Sequence, residues 1–232
     1  MWKVQYSRWR HRLPAGLLLT VATVVFPQVA FSQTASPYPR RDFQAWLSLN
    51  GTHPLGEKTD FLLGAGIRYG NDQGHLTYRR VTTGVAFHVS RFLTLEPFYQ
   101  YSVGDSFSGA IDPENRLSFA ATVGIPWKRW RVSERNLGER RFMADGQEWR
   151  YRNRIEFRRP IAIGRKQLSV FVWDEVYYSS TTRRWYRNRF ALGAGRKLTN
   201  RFSVDVFYVH QNDGYSHPGD INGVGMTIKT RF

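Results

Sequence analysis

Arginine occupies every second position in the stretch Arg150-Tyr151-Arg152-Asn153-Arg154, and a related stretch follows at Tyr186-Arg187-Asn188-Arg189. A guanidinium is a planar fork of donors that matches carboxylates and phosphates, so such a series predicts either anion binding or internal ion pairing. Glu175 lies between the two stretches. If these segments are neighbouring strands, Glu175 reaches arginines on both sides, because facing residues lie about 5 Å apart.

The spacing of these arginines belongs to an alternation of apolar and polar residues that has the period of a β-strand. In segment 60–69, Phe61, Leu63 and Ile67 alternate with Asp60 and Arg68. Similar alternation occurs at 80–89, 116–125, 149–158 and 203–208. A charge at every second residue fits a sheet with one wet face and one apolar face.

The N-terminus has the pattern of a secretory signal peptide. A basic segment without acidic residues precedes the apolar run Leu17–Val25, and a small-residue cleavage site fits Ala30-Phe31-Ser32. We therefore expect residues 1–32 to be a signal peptide, 33–41 an N-terminal extension and 42–232 the folded part. An uncleaved anchor is the alternative. No later stretch is long and apolar enough for a transmembrane helix.

Composition favours a barrel in the outer membrane of a Gram-negative-type bacterium. Aromatic residues make up 16% of the chain, yet its mean hydropathy is −0.48, as expected when only one face of each strand meets lipid. The chain has no cysteine and a formal net charge of +16. Such a charge favours polyanionic partners, and export leaves outer-membrane lipids and lipopolysaccharide rather than nucleic acid.

Turn signals alternate between short and long connections, as in an up-and-down meander with short periplasmic turns and longer outer loops. The longer or more polar connections are predicted at 70–74, 104–114, 138–147, 179–183 and 212–220. The chain ends on Phe232 after an alternating strand, which predicts recognition by the barrel assembly machinery. The sequence thus predicts an all-β fold, a closed antiparallel up-and-down transmembrane β-barrel of about 10–12 strands. Counting gives roughly eleven, but an even number is usual, so ten or twelve remain open, with a slight preference for twelve.

A family resemblance covers nearly all of the part after the signal peptide. The stretch from Arg131-Val132-Ser133-Glu134-Arg135 through Arg154 resembles domain-of-unknown-function family 2490, a group of outer-membrane β-barrel proteins. Trp46, Trp173-Asp174-Glu175-Val176-Tyr177 and Asn188-Arg189 support it. The resemblance implies a fold and a location, and it brings no catalytic residues.

The functional prediction concerns the lumen. The alternation places one group of residues inward as candidates for an anion path: Arg68, Arg80, Arg116, Arg150, Arg152, Arg154, Arg158, Glu175, Arg187 and Arg189. One interpretation is a structural barrel whose interior is filled by arginine–carboxylate networks. The other is a narrow anion-selective, porin-like channel. Inward glycines such as Gly66 and Gly193 leave space either for a path or for the long arginines.

Other functions have weaker signals. Arg140, Arg141, Arg183 and Arg184 are assigned to outer loops as candidates for lipopolysaccharide contact. An outer-membrane lipid hydrolase or acyltransferase is the alternative, with Ser216, His217 and His210 as its best candidates, although no catalytic arrangement is indicated. We expect a monomer without a metal site or cofactor. A soluble secreted β-sandwich is a further alternative, and it would not need detergent for extraction.

Overall fold

A computed structural model of the chain describes residues 40–70, 74–105, 111–164 and 166–232. These residues form eleven strands: β1 (Arg41–Gly56), β2 (Thr59–Gly70), β3 (His75–His88), β4 (Leu93–Asp105), β5 (Ile111–Trp127), β6 (Trp130–Met143), β7 (Gly146–Ile163), β8 (Lys166–Ser179), β9 (Arg184–Lys197), β10 (Phe202–Asp213) and β11 (Asp220–Arg231). The predicted signal peptide lies outside the described residues, as do residues 33–39 of the extension. Within the described ranges, no helix is long and apolar enough to cross a membrane.

The strands form one closed barrel in which each strand pairs with its neighbours in the sequence. Ten of these pairs are antiparallel, and the barrel closes through a parallel pairing of β1 with β11. This closing register runs from Arg41 opposite Asp220 to Thr52 opposite Arg231. The predicted all-β closed barrel is confirmed.

The expectation of an even strand number is wrong for this barrel. Neither ten nor twelve strands but eleven form the described sheet, and β1 is part of it. Strand direction alternates along a meander, so the first and last members of an odd set point the same way and can pair only in parallel. Arg41 and Phe232 consequently lie at opposite ends of the barrel.

The two ends of the barrel differ in their connections. The loop end, as we name it, holds the β2–β3, β4–β5, β6–β7, β8–β9 and β10–β11 connections, and the turn end holds the other five. The long loop predicted at 138–147 is wrong, since Met143 pairs with Gly146 across a two-residue turn. The two turn residues are Ala144 and Asp145, and Gly146 directly after them has a φ of +139°, which favours glycine. Arg140 and Arg141 are therefore strand residues.

The outside of the barrel is largely apolar, although exposed polar pairs such as Asn153–Glu134 and Asn188–Asp174 lie on it, and the inside is mixed. Leu63, Leu117 and Leu192 on the outer face are each more than half exposed. A buried cluster lies inside on β1 and β8–β11: Trp46, Phe171, Trp173, Ala191, Val209 and Ile221. Gly193 makes room for this cluster, since a Cβ there would meet the Phe171 ring at 2.5 Å. The alternation did not predict that the lumen has an aromatic side.

Candidate functional site

The arginine series of β7 forms ion pairs across the lumen wall with acids on β6 and β8. Arg150 Nε lies 2.6 Å from Glu139 Oε2, and Arg152 Nη1 lies 3.4 Å from Glu139 Oε1. Arg152 Nη2 also reaches Glu175 Oε1 at 2.8 Å, and Arg154 Nη2 reaches Glu175 Oε2 at 3.1 Å. The backbone places these groups together, because Glu139 pairs with Arg150 and Arg154 pairs with Glu175 in the strand register.

Glu175 is, with Glu139, one of two acids in this network that are almost fully enclosed. Its relative exposure is 1%, and it also accepts a hydrogen bond of 2.6 Å from the Tyr177 hydroxyl. The expected direct pairing with an arginine on β9 is replaced by a relay. Arg189 donates to the Tyr177 oxygen at 2.6 Å and to Gln211 Oε1 at 2.6 Å. Tyr177 thus connects the β7 and β9 arginines, a role that the sequence did not reveal.

A second network closes the loop end of the same wall. Glu114 accepts from Arg116 at 2.5 and 2.6 Å and also pairs with Arg141. Arg141 Nη1 lies 2.5 Å from Glu148 Oε2, and Ser179 donates to the other oxygen of Glu148. Arg141 therefore faces the lumen between two carboxylates and is not placed for contact with lipopolysaccharide. A matching cluster at the turn end joins Arg158 to Glu156 and Asp205, with Lys229 also on Asp205.

Arg68 on β2 and Arg80 on β3 have a different environment. Within the described part of the chain, no carboxylate oxygen lies within 4.0 Å of either guanidinium. Arg68 instead stacks on aromatic rings, with its guanidinium carbon 4.0 Å from the Trp46 centroid and 4.7 Å from that of Tyr78. Arg80 lies over Gly66, where a Cβ would come within 2.9 Å of its Nε. Gly66 therefore makes room for an arginine rather than for an open path.

These arginines share a cavity of about 370 Å³ inside the barrel. Nine of the predicted path residues line it: Arg68, Arg80, Arg116, Arg150, Arg152, Arg154, Arg158, Arg187 and Arg189. Glu175, the tenth, does not line the cavity. The Nε atoms of Arg152 and Arg154 are buried and have no hydrogen-bond partner among the described residues. The cavity wall thus holds surplus donors and surplus positive charge.

A smaller cavity of about 300 Å³ lies at the loop end. Arg116, Arg150 and Arg187 line both cavities and form the boundary between them. Of these three, Arg187 lies 2.6 Å from Asp213, which is fully enclosed. Arg116 and Arg150 are likewise paired, with Glu114 and Glu139, so ion-paired guanidiniums separate the two cavities.

A known protein family matches most of the chain in sequence. A family model described as a protein of unknown function, DUF2490, matches residues 43–222. The chain belongs to the DUF2490 family. The match runs from β1 into β11 of this DUF2490 protein, and it confirms the predicted resemblance. A search of curated proteins found no match to the chain.

The remaining candidates lie at the loop end and on the outer wall. Arg183 lies in the β8–β9 turn with a φ of +53°, and Arg184 begins β9, where it donates to the Tyr215 hydroxyl at 3.2 Å. Arg140 faces outward over the Trp149 ring, 5.0 Å from its centroid. Contact of Arg183 and Arg184 with lipopolysaccharide stays a prediction.

Two of the side chains considered for catalysis have other partners. Ser216 Oγ donates to the Pro218 carbonyl at 3.4 Å, and His210 Nδ1 lies 3.0 Å from Asn222 Oδ1. No hydrogen bond joins Ser216 to a histidine in the described ranges. In those ranges no three His, Cys, Asp or Glu side chains are grouped to hold a metal ion.

Proposed function

We propose that this DUF2490 protein is an outer-membrane β-barrel whose lumen binds and passes small anions. The outer surface supports the membrane part of the proposal. Residues such as Leu63, Leu117, Leu192 and Val206 are 52–57% exposed. A band of this kind is unusual on a soluble monomer and is what the lipid-facing side of a barrel requires.

The proposed orientation follows from the connections. Bacterial outer-membrane barrels have short periplasmic turns and longer outer loops. The turn end, with Phe232, would therefore face the periplasm, and the loop end would face outward. In this orientation, the smaller cavity lies nearer the outside and the larger one nearer the periplasm.

The observation that carries the anion function is the Arg68/Arg80 pair. Both residues line the central cavity, and neither has a carboxylate within ion-pair distance in the described chain. An arginine that is already paired attracts a further anion weakly, whereas an unpaired guanidinium in a low-dielectric cavity attracts one strongly. The cavity therefore offers an electrostatic site for a chloride-sized or phosphate-sized ion.

A sealed structural barrel is the second candidate, and the ion-pair networks favour it. Glu114, Glu139 and Glu175 each pair with two arginines, and each joins its own strand to one neighbouring strand across the lumen wall. Such networks fill the space that an open pore would need. Conductance separates the two candidates directly.

The test is a planar-bilayer recording of detergent-folded protein under a potassium chloride gradient. We expect a reversal potential toward that of chloride in the wild type. In Arg68→Gln/Arg80→Gln, the chloride-to-potassium permeability ratio should fall roughly fivefold, equivalent to about 1 kcal/mol.

Arg79→Gln is the matched control, because Arg79 is the outward neighbour of Arg80 on the same strand and is exposed. This control should keep the wild-type ratio. An equal fall of the permeability ratio in both variants would contradict a role of the Arg68/Arg80 pair in anion selectivity. Absence of conductance from demonstrably folded protein would support the sealed barrel.

A further inference from the structure

A shallow groove of about 760 Å³ crosses the outer wall of the barrel from β3 to β7. Leu117, Phe119, Val85 and Tyr99 supply most of its apolar lining. The groove exists because Gly138 interrupts the outward side chains between Phe119 and Tyr151, its partners in the register. A Cβ at Gly138 would meet no other atom within 4 Å, so open space remains there.

The groove is polar at one end only. Arg140 and Trp149 face each other near the loop end, where β6 ends and β7 begins. From there, the groove descends through Leu117 and Phe119 to Val85 and Pro97, which lie farther from the loop end of their strands. Pro97 has no backbone N–H to donate to a neighbouring strand. Val85 and Ala86 have no partners on β4 in the register of β3 with β4.

We propose that the groove binds an acyl chain of lipopolysaccharide, with Arg140 donating to a phosphate of its acylated headgroup. The proposal rests on the membrane location and orientation proposed above. An apolar groove with a cation only at its loop end complements a lipid whose acyl chains run inward from a phosphorylated headgroup at the outer surface. Trp149 supplies the amphipathic ring that favours this depth, and its stacking holds the guanidinium on the outer wall.

The position of the cation distinguishes lipopolysaccharide from a periplasmic-leaflet phospholipid. Arg159 and Trp130 form a comparable outward pair at the turn end, 5.6 Å from guanidinium carbon to ring centroid, but outside this groove. A phospholipid of the inner leaflet would meet Arg159 first. A lipid anchored by Arg140 is one whose headgroup lies at the loop end.

Native mass spectrometry of the detergent-folded protein with purified lipid A tests the proposal. The wild type should retain one lipid A molecule through detergent exchange. Arg140→Gln should weaken this retention roughly fivefold, as expected for one interfacial arginine. Gly138→Leu should abolish the retention of lipid A. The new side chain fits without a clash and occupies the open part of the groove, where the acyl chain would lie.

Two matched variants control for charge and bulk. Arg159→Gln removes the other outward arginine–tryptophan pair, and Ala65→Leu adds a similar side chain to the outer face of β2. Both should retain lipid A as the wild type does. Equal losses in test and control variants would overturn the proposed site, as would equal retention of phosphatidylglycerol and lipid A by the wild type.

Folding in detergent and retention of lipid A test the membrane location and the groove separately. If the protein folds only with detergent and shows heat-modifiable gel migration but retains no lipid A, the groove proposal alone is overturned. If the protein is soluble and folded without detergent, the membrane location fails, and the groove proposal fails with it.

Discussion

The two sides of the lumen use arginine in opposite ways. On β5–β8, Arg116, Arg141, Arg150, Arg152 and Arg154 all have carboxylate partners within the wall. On β2 and β3, the Arg68/Arg80 pair has none in the described chain and faces aromatic rings, a glycine and the cavity. An inward arginine series therefore does not by itself indicate a permeation path. The acids on adjacent strands decide whether each guanidinium stabilises the fold or remains available to a solute.

The largest expected effect is the loss of stability when the paired side loses its central acid. Glu175→Gln leaves Arg154 without an acid and Arg152 with only Glu139. Because Glu175 itself is almost fully enclosed, the substitution should lower the free energy of unfolding by about 3–5 kcal/mol. Guanidinium unfolding of the protein in detergent micelles measures the loss.

Glu156→Gln is the control for this prediction, because its partner Arg158 keeps a second acid, Asp205. Both Glu156 and Arg158 retain 23% exposure, so a loss of about 1 kcal/mol or less is expected. Similar losses in the two variants would show that enclosure does not increase the contribution of these ion pairs to the free energy of unfolding.

An intermediate effect is expected at the relay between the β7 and β9 arginines. Tyr177→Phe removes the hydroxyl that donates to Glu175 and accepts from Arg189. Leaving these buried groups without that partner should lower the free energy of unfolding by about 1–3 kcal/mol. Tyr178→Phe, on the outward face of the same strand, should change it by less than about 0.5 kcal/mol. A reversed order would refute the relay.

The smallest effect on the free energy of unfolding is expected at the Arg68/Arg80 pair, and it depends on which anion is present. Chloride should stabilise the wild type relative to gluconate at equal ionic strength. The gain is about 1 kcal/mol for a site with a Kd of about 0.1 M in about 0.5 M chloride. Arg68→Gln/Arg80→Gln should remove this difference while Arg79→Gln keeps it. Equal stabilisation of all three proteins would indicate a general salt effect instead.

Much of this arrangement could be predicted from local pattern. The period of two identified the strands and their two faces, because side chains alternate across a strand whatever its neighbours are. It also selected the nine arginines that line the cavity. The predicted loop at 138–147 is wrong because the charged residues at 139–141 suggest a loop, whereas a two-residue turn at Ala144-Asp145 makes the connection and leaves Arg140 and Arg141 in β6.

Most strands, the largely apolar exterior and the direction in which the arginines point follow from the sequence, since each depends on residues a few positions apart. The count of eleven, the parallel closure of β1 on β11 and the partner of each arginine follow from the closed sheet instead. It brings Trp46 of β1 against Arg68 and Arg189, and Asp205 of β10 against Arg158 of β7. These contacts depend on the register and closure of the barrel, which join segments that no local period relates.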